Sequence, residues 1–134
     1  MREVTAKLNF LRMGPRKVRL VVDLIRGKKV LRALDVLSLL NKKASRPIKK
    51  LLESAIANAK HNFSLSAEDL KVAKITVDGG PMLKRWMPKA HGRATPVRER
   101  TSHINVVLEV VEKKEKKVKK EISARGGSAL GGKK

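Results

Sequence analysis

The sequence predicts an α+β domain, and the order of its hydrophobic patterns is the main reason. One strand pattern comes first, three helix patterns follow, and two further strand patterns come last. The length of 134 residues favours one domain. We place this domain at residues 1–112, and we expect the lysine-rich and then glycine-rich tail at residues 113–134 to be disordered.

The first strand is predicted at residues 3–10. Apolar side chains stand at every second position there and are expected to face the core: Val4, Ala6, Leu8 and Phe10. Pro15, which directly follows Gly14, suits the first turn of a helix. We therefore expect the chain to leave the strand and enter a helix near Pro15.

The first helix is predicted to run from Pro15 to Arg26. Its apolar side chains have the spacing of a single helix face: Val18, Val21, Val22 and Ile25. Arg19 and Asp23 are spaced for an ion pair within the helix. Gly27 suits the position that follows a helix end.

Two more helices are predicted before the chain returns to strands. The second, at about residues 30–40, is apolar on nearly all sides, so we expect it to be largely buried. The third begins near Ser45 or Arg46, has Pro47 in its first turn and ends near Phe63. Its apolar face is Ile48, Leu51, Leu52, Ala55, Ala59 and Phe63.

Two strand patterns, at residues 70–77 and 104–110, are expected to pair antiparallel in a small sheet. In the first of them Ala73, Ile75 and Val77 are predicted to share one face. The segment between them, residues 78–103, has no sustained apolar alternation and allows two interpretations, a hairpin or a flexible basic loop. Hairpin arms of a dozen residues would reach about 40 Å and overhang a domain whose radius of gyration is about 13 Å. Such an arm would need an external anionic surface.

Charge is the strongest compositional indication of function. The formal net charge is +21, and a compact chain with that charge favours a polyanionic partner. Nucleic acid is the leading candidate and an anionic membrane surface is the weaker one. No apolar run is long enough for a membrane span, no stretch resembles a signal peptide, and the absence of cysteine fits an intracellular protein.

Candidate enzyme chemistry is weak throughout the sequence. The three histidines, His61, His91 and His103, have no metal-ligand spacing, and no carboxylate pair is placed for acid–base work. Residues 127–133 match the spacing of a phosphate loop but lack the following Ser or Thr, a preceding strand and a following helix. We therefore predict no enzyme, no cofactor, no metal site and no small-molecule substrate.

Basic side chains are the candidate RNA contacts, since Lys and Arg bind phosphates. The set is Lys7, Arg12, Arg16, Lys17, Arg19, Lys28, Lys29, Lys84, Arg85, Lys89, Arg93, Arg98 and Arg100. His103 is included as a possible RNA contact, and Trp86 either stacks on a base or packs within the hairpin. A DNA-binding architectural or regulatory protein is the rival class, although no recognition-helix pair or dimer seam is evident.

Four segments carry a specific resemblance. They are P-R-K-V-R-L-V-V-D-L-I-R-G-K-K (15–29), L-L-E-S-A-I-A-N-A-K-H-N (51–62), G-P-M-L-K-R-W-M-P-K-A-H-G-R-A (80–94) and R-T-S-H-I-N-V-V (100–107). Over about residues 2–111 the chain resembles the bacterial type of large-subunit ribosomal protein twenty-two. The resemblance implies three helices packed on a small antiparallel sheet, with a long protruding β-hairpin.

The same resemblance implies a function on the cytoplasmic ribosome. It points to a structural constituent of the large subunit that binds ribosomal RNA and neighbouring ribosomal proteins and aids assembly. Its hairpin would line the nascent-peptide exit tunnel and meet the nascent peptide. The tip region implied for this role is Met82, Leu83, Lys84, Arg85, Lys89, Ala90, His91, Gly92 and Arg93.

Three departures from the family pattern are visible. Gly14 stands where relatives often have Ser, so the first helix lacks a side-chain cap. Pro96 removes a backbone donor from the returning arm and predicts a local break there. The tail at residues 113–134 has no counterpart, and both RNA contact and a neutral extension are open for it.

Overall fold

The computed structural model describes residues 3–111 and confirms the α+β class. Three strands and three α-helices lie within those residues: β1 Glu3–Leu11, α1 Pro15–Asp23, α2 Val30–Leu39, α3 Ser45–Phe63, β2 Leu70–Pro88 and β3 Ala94–Val110. The strands form one antiparallel sheet in the order β1-β3-β2, with β3 in the centre. The tail at residues 113–134, including the loop-like motif at 127–133, lies outside the described residues.

Pairing of β2 with β3 confirms the predicted sheet. Leu70 lies opposite Val110, and Val77 lies opposite Ile104. The predicted inner face of β2 is wrong in its first half, because the register shifts between Val72 and Lys74. One extra residue reverses the alternation at that point. The buried side chains of this strand are therefore Leu70, Val72, Ile75 and Val77.

β1 follows its predicted alternation only as far as its middle. Val4 and Ala6 are buried as expected, whereas Phe10 is 64% exposed and is not part of the core. The pairing with β3 shifts between Leu8 and Leu11, and Phe10 has a φ of 56° in the left-handed region. This irregularity turns the Phe10 ring outwards, where it contacts His103 edge-on at 4.7 Å between ring centroids.

α1 presents its predicted apolar face to the core but ends earlier than expected, at Asp23. Gly27 has a φ of 73° in the turn that follows, and its N–H donates to the Val72 carbonyl at 3.0 Å. The predicted Arg19–Asp23 ion pair is wrong. Arg19 donates instead to the Val77 carbonyl, and Asp23 pairs with Arg26 at 3.2 Å.

α2 is much less buried than its composition predicts. Only one stripe of this helix, Val30, Ala33 and Leu37, is buried, while Leu39 is 86% exposed. The expectation of a largely buried helix is therefore wrong within this chain, because the sheet and α3 together cover one side of it. α3 has the predicted bounds, and its inner face is as predicted except for Phe63, which is partly exposed at the helix end.

The helices cover one face of the sheet and enclose a single core. Alternate residues of the central strand, Ile104, Val106 and Leu108, are fully buried beneath them. Burial of this kind contributes about 25 cal/mol for each Å² of apolar surface removed from water. The core ends at Val77 on β2 and at Ser102 on β3.

Beyond the core, β2 and β3 continue as a paired hairpin, which confirms the hairpin interpretation over the flexible loop. An uninterrupted register runs from Met82 opposite Arg100 to Pro88 opposite Ala94. We call residues 79–102 the arm; nine residues of extension give it a reach of about 30 Å. The break predicted at Pro96 is wrong, because this proline pairs in register with Trp86. At Pro96 β3 pairs with β2 alone, so its other edge is free there and a missing N–H is tolerated.

Candidate RNA-binding surface

The arm has two chemically different faces. Residues directly opposite one another in an antiparallel pair share a face, so the register assigns every side chain. What we call the cationic face consists of Met82, Lys84, Trp86, Pro96, Arg98 and Arg100, all exposed. What we call the paired face consists of Leu83, Arg85, Met87, Thr95, Val97 and Glu99. Leu83, Thr95 and Val97 on this second face are partly buried.

Positive charges are concentrated on the cationic face without compensation. Lys84 lies directly opposite Arg98, and Arg100 follows two residues along on the same face. Like charges in directly opposed positions destabilise a strand pair. Within residues 3–111 none of these three cations forms an ion pair. The positive charge of this face is therefore not neutralised within the described residues.

The paired face neutralises part of its own charge. Arg85 Nε lies 3.8 Å from Glu99 Oε2, and both side chains are more than half exposed. An exposed pair of this kind adds little stability. It does place a carboxylate beside Arg85, so this arginine presents less net charge to a polyanion than Lys84 or Arg98 does.

Trp86 does not pack within the hairpin. Its side chain is 68% exposed on the cationic face, between the positions of Lys84 and Pro88. An exposed indole flanked by cations is suited to stacking on an unpaired base. The geometry thus favours the first of the two alternatives that the sequence left open.

The tip of the arm is a tight turn of exposed residues. Ala90–Gly92 form its short 3-10 segment, and the Lys89 N–H donates to the Arg93 carbonyl at 2.7 Å. His91 and Gly92 both have positive φ, at 59° and 68°. Met82 and Leu83, which the sequence analysis grouped with the tip, lie instead near the start of the arm.

A second basic site lies where the arm meets the core. We call it the arm-base cavity; its volume is about 520 Å³, and it is lined by Arg12, Met13, Gly14, Lys17, Lys43, Leu83, Glu99, Arg100 and Thr101. Two groups of predicted RNA contacts meet here, because Arg12 and Lys17 come from the start of α1 and Arg100 comes from the arm. The amino-terminal end of α1, which carries a partial positive charge, opens at the same place.

Hydrogen bonds fix the relative position of these segments. The buried Ser102 hydroxyl donates to the Met13 carbonyl and joins β3 to the turn before α1. Thr101 Oγ1 donates to the Pro81 carbonyl at 2.6 Å, across the register shift between Gly79 and Met82. Hydrogen bonds therefore join the backbone segments from which the basic side chains of the cavity project.

The model of one protein family, Ribosomal protein L22p/L17e, matches residues 6–109 of this chain. The matched span includes all three helices and the whole arm. The chain belongs to the L22p/L17e family. Members are structural, non-enzymatic constituents of the large ribosomal subunit, so the resemblance seen in the sequence is confirmed at that level.

Not every predicted contact of this L22p/L17e chain is available for RNA in the same way. Arg19 donates from Nε and Nη2 to the Val77 carbonyl, at 3.3 and 2.9 Å, so its guanidinium is already engaged. His103 accepts the Phe10 N–H at Nδ1, 3.2 Å away. Lys28 and Lys29 lie beside the outer edge of β2, where the Lys28 carbonyl accepts the Val72 N–H. Lys7 and Arg16 are exposed on β1 and α1.

The sequence analysis missed one basic group. The connection between α2 and α3 and the first turns of α3 carry five cations within nine residues: Lys42, Lys43, Arg46, Lys49 and Lys50. Four of them line a cavity of about 600 Å³ beside α2, and Lys43 also reaches the arm-base cavity. The local run N-K-K-A-S-R-P-I-K-K at residues 41–50 already contains this information.

The described part of this L22p/L17e chain contains neither a metal-binding cluster nor a membrane-spanning helix. Between residues 3 and 111, no three His, Asp or Glu side chains are grouped so as to hold a metal ion. No helix in that range has the length and apolar character that a membrane crossing requires.

Proposed function

We propose that this chain binds large-subunit ribosomal RNA through the cationic face and the arm-base cavity, and that this binding aids assembly of the subunit. The observation that carries the proposal is the direct opposition of Lys84 and Arg98, with Arg100 beside them, on a fully exposed face. A protein does not gain stability from such an arrangement by itself. RNA phosphates supply the compensating charge.

Each part of the surface has a distinct role in this proposal. Lys84, Arg98 and Arg100 contact phosphates along the arm, and Trp86 stacks on an unpaired base. Arg12, Lys17 and Lys43 hold a second RNA segment at the arm base. Contacts that run from the arm base along an arm with a reach of about 30 Å tie more than one RNA segment to one protein, which is how a small protein aids assembly.

We also propose that the arm lines the nascent-peptide exit tunnel. The proposal is supported by the family and by the reach of the arm, whose residues 82–100 contribute nothing to the core. Lys89, His91 and Arg93 at the tip would then face the tunnel and the nascent peptide. An isolated two-stranded hairpin is marginal in water, so RNA packed along the arm would also hold its shape. A ribosome in the cytoplasm is the location that follows.

RNA binding is tested with the full chain and transcribed large-subunit ribosomal RNA across a series of salt concentrations. The double variant Lys84→Gln/Arg98→Gln should bind about tenfold or more weakly, with a salt slope smaller by about one to two units. The control Arg32→Gln/Lys60→Gln removes the same two charges from exposed positions on α2 and α3, outside both proposed sites, so its affinity should stay close to that of the parent. Equal losses in both variants would contradict the assigned RNA-binding face.

The tunnel assignment needs a separate experiment. A photo-crosslinking amino acid replaces His91 in ribosomes stalled on a radiolabelled nascent chain, and the same probe replaces Ser54 on α3 as the control. We expect a crosslink to the nascent chain from position 91 and none from position 54. A tip probe that reacts only with RNA or solvent, in ribosomes that contain the protein, would refute the tunnel placement.

A further inference from the structure

An apolar groove lies along α1 beside the core, with the buried side chains of Val21 and Ala44 in its floor. It has a volume of about 410 Å³ and is lined by Met13, Lys17, Leu20, Val21, Leu24, Leu40, Lys42, Lys43 and Ala44. We call it the leucine groove. Leu20 is 72% exposed and Leu24 is 43% exposed, although both are large apolar side chains. Single exposed leucines are common on proteins, but leucines that line a shared concave surface indicate a contact site.

The two walls of the groove come from separate parts of the fold. Leu20 and Leu24 are one helical turn apart on α1, so they form a continuous stripe. Leu40 and Ala44, in the connection from α2 to α3, face them.

The rim of the groove is positively charged. Lys17 stands on the α1 side, and Lys42 and Lys43 stand on the other side. No carboxylate is among the lining residues, so the groove combines an apolar floor with an unpaired cationic edge. A complementary ligand has apolar side chains in its centre and negative charges at its margins.

We propose that the leucine groove docks a segment of another protein that inserts apolar side chains between Leu20, Leu24 and Leu40 and sets Asp or Glu against the rim. The carboxylate faces Lys42, because Lys17 and Lys43 also line the arm-base cavity, where RNA is proposed. The proposal rests on the proposed function in one respect, namely that a neighbouring protein of the large subunit supplies the segment. It adds the face that is used and the chemistry that recognises the partner.

RNA fits this groove less well than a protein does. Removing a leucine side chain from water is favourable in proportion to its apolar area, but only when it packs against an apolar surface. Phosphates and riboses present charged and hydroxyl groups, which would satisfy the lysines and leave the leucines uncovered. The cationic face of the arm shows the opposite composition, with Lys84, Arg98 and Arg100 exposed and only a tryptophan for stacking.

Charge excludes two other occupants of the groove, the tail of this chain and a second copy of it. Residues 113–134 contain nine Lys or Arg and two Glu, so the tail would be repelled by the lysine rim. A second copy, at a net charge of +21, would bring the same three lysines against each other in a two-fold contact. An acidic, partly apolar segment of a different protein meets neither obstacle.

Photo-crosslinking in assembled large subunits tests the proposal. A benzoylphenylalanine probe replaces Leu20 in the full chain, and in a second variant it replaces Leu24, so that a folding defect at one position does not end the test. Co-sedimentation with the large subunit is measured first; a parent chain that fails to assemble refutes the proposed function rather than this inference. In assembled subunits we expect a crosslink to a protein peptide that carries an apolar residue next to Asp or Glu.

Every other product overturns the docking proposal. A crosslink to ribosomal RNA would assign the groove to RNA, a crosslink to a second copy would assign it to self-association, and no crosslink from either position would mean that nothing covers it. The same probe at Ser54, exposed on α3, is the background control.

A matched pair of substitutions provides a second readout. Leu20→Asn should reduce the protein crosslink from position 24 by about tenfold, the equivalent of one lost leucine contact. Leu31→Asn, which changes an exposed leucine of α2 outside the groove lining, should leave the yield unchanged. Affinity for isolated ribosomal RNA should be the same in both variants; a selective loss with Leu20→Asn would overturn the assignment to a protein partner.

Discussion

At the scale of single residues, Gly80 shows how closely the start of the arm is packed. A Cβ atom at this position would lie 2.5 Å from Thr101 Oγ1 and 2.9 Å from His103 Nε2. Thr101 cannot move away without losing its hydrogen bond to the Pro81 carbonyl. The neighbouring Gly79 is different, since a Cβ there would meet nothing within 4 Å.

Gly80→Ala should therefore destabilise the isolated protein, and Gly79→Ala should not. We expect a loss of about 1–3 kcal/mol in the free energy of unfolding for the first variant, as for other overpacked sites. Urea denaturation followed by circular dichroism measures it. A Gly79→Ala variant that loses as much as Gly80→Ala would show that backbone freedom, rather than the close approach, explains the glycine.

Arg19 gives a second residue-scale prediction, because its guanidinium donates to a backbone carbonyl of the same chain. Arg19→Gln removes a charged donor from the Val77 carbonyl at the outer edge of β2, and the cost should be about 1–2 kcal/mol. Arg16→Gln, an exposed position on the same helix, should leave stability within about 0.5 kcal/mol. Thermal melting of the two variants distinguishes a stabilising role of Arg19 from RNA contact alone. Similar melting temperatures would mean that Arg19 does not stabilise the fold.

At the scale of elements, the proposed RNA-binding face makes the free arm less stable. The opposition of Lys84 and Arg98 destabilises the free arm by about 0.2–1 kcal/mol. Lys84→Glu should replace this repulsion with an attraction. The variant is therefore expected to slow hydrogen exchange of the arm amides in the free protein while weakening RNA binding.

The matched variant for this prediction is Arg85→Glu on the paired face. It places a second carboxylate beside Glu99, so arm exchange should become faster as RNA affinity falls. If the two variants change amide hydrogen exchange in opposite directions while both lose RNA affinity, the opposed charges of Lys84 and Arg98 are the cause of the arm's lower stability. If Lys84→Glu also speeds exchange, the like-charge account of the cationic face is wrong.

Periodicity predicted where most elements lie but not which way every side chain points. The helix and strand positions follow from 3.6-residue and two-residue spacing, and α3 matches its predicted bounds. Bulges are the reason for the errors, since one extra residue near Ala73 and another near Phe10 reverse the faces without any change in composition. The division of the arm into two faces likewise depends on how β2 pairs with β3, and the register shift between Gly79 and Met82 determines that pairing.

At the scale of the whole molecule, the functional surface is assembled from segments far apart in sequence. Arg12, Lys43 and Arg100 line one cavity, although about 30 and then nearly 60 residues separate them along the chain. Arg12 and Arg100 were predicted from the sequence as RNA contacts, but no sequence pattern places them together. Burial has the same limit, because the apolar sides of α2 gave no indication of whether this chain or a partner covers them.

Net charge acts on the whole molecule and yields the final prediction. Truncation after Glu112 removes nine Lys or Arg and two Glu, which lowers the formal net charge of +21 by seven. We expect the shortened chain to melt cooperatively at a temperature no lower than the parent at low salt, because self-repulsion falls and the core lies within residues 4–108.

Added salt should bring the two melting curves together, since about 0.1 M salt screens exposed charges beyond about 10 Å. Differential scanning calorimetry at low and moderate salt provides the comparison. A shortened chain that melts several degrees lower at both salt concentrations, or without cooperativity, would mean that residues 113–134 belong to the folded domain. Unchanged cooperativity with a smaller salt slope for RNA binding would instead assign the tail to RNA contact.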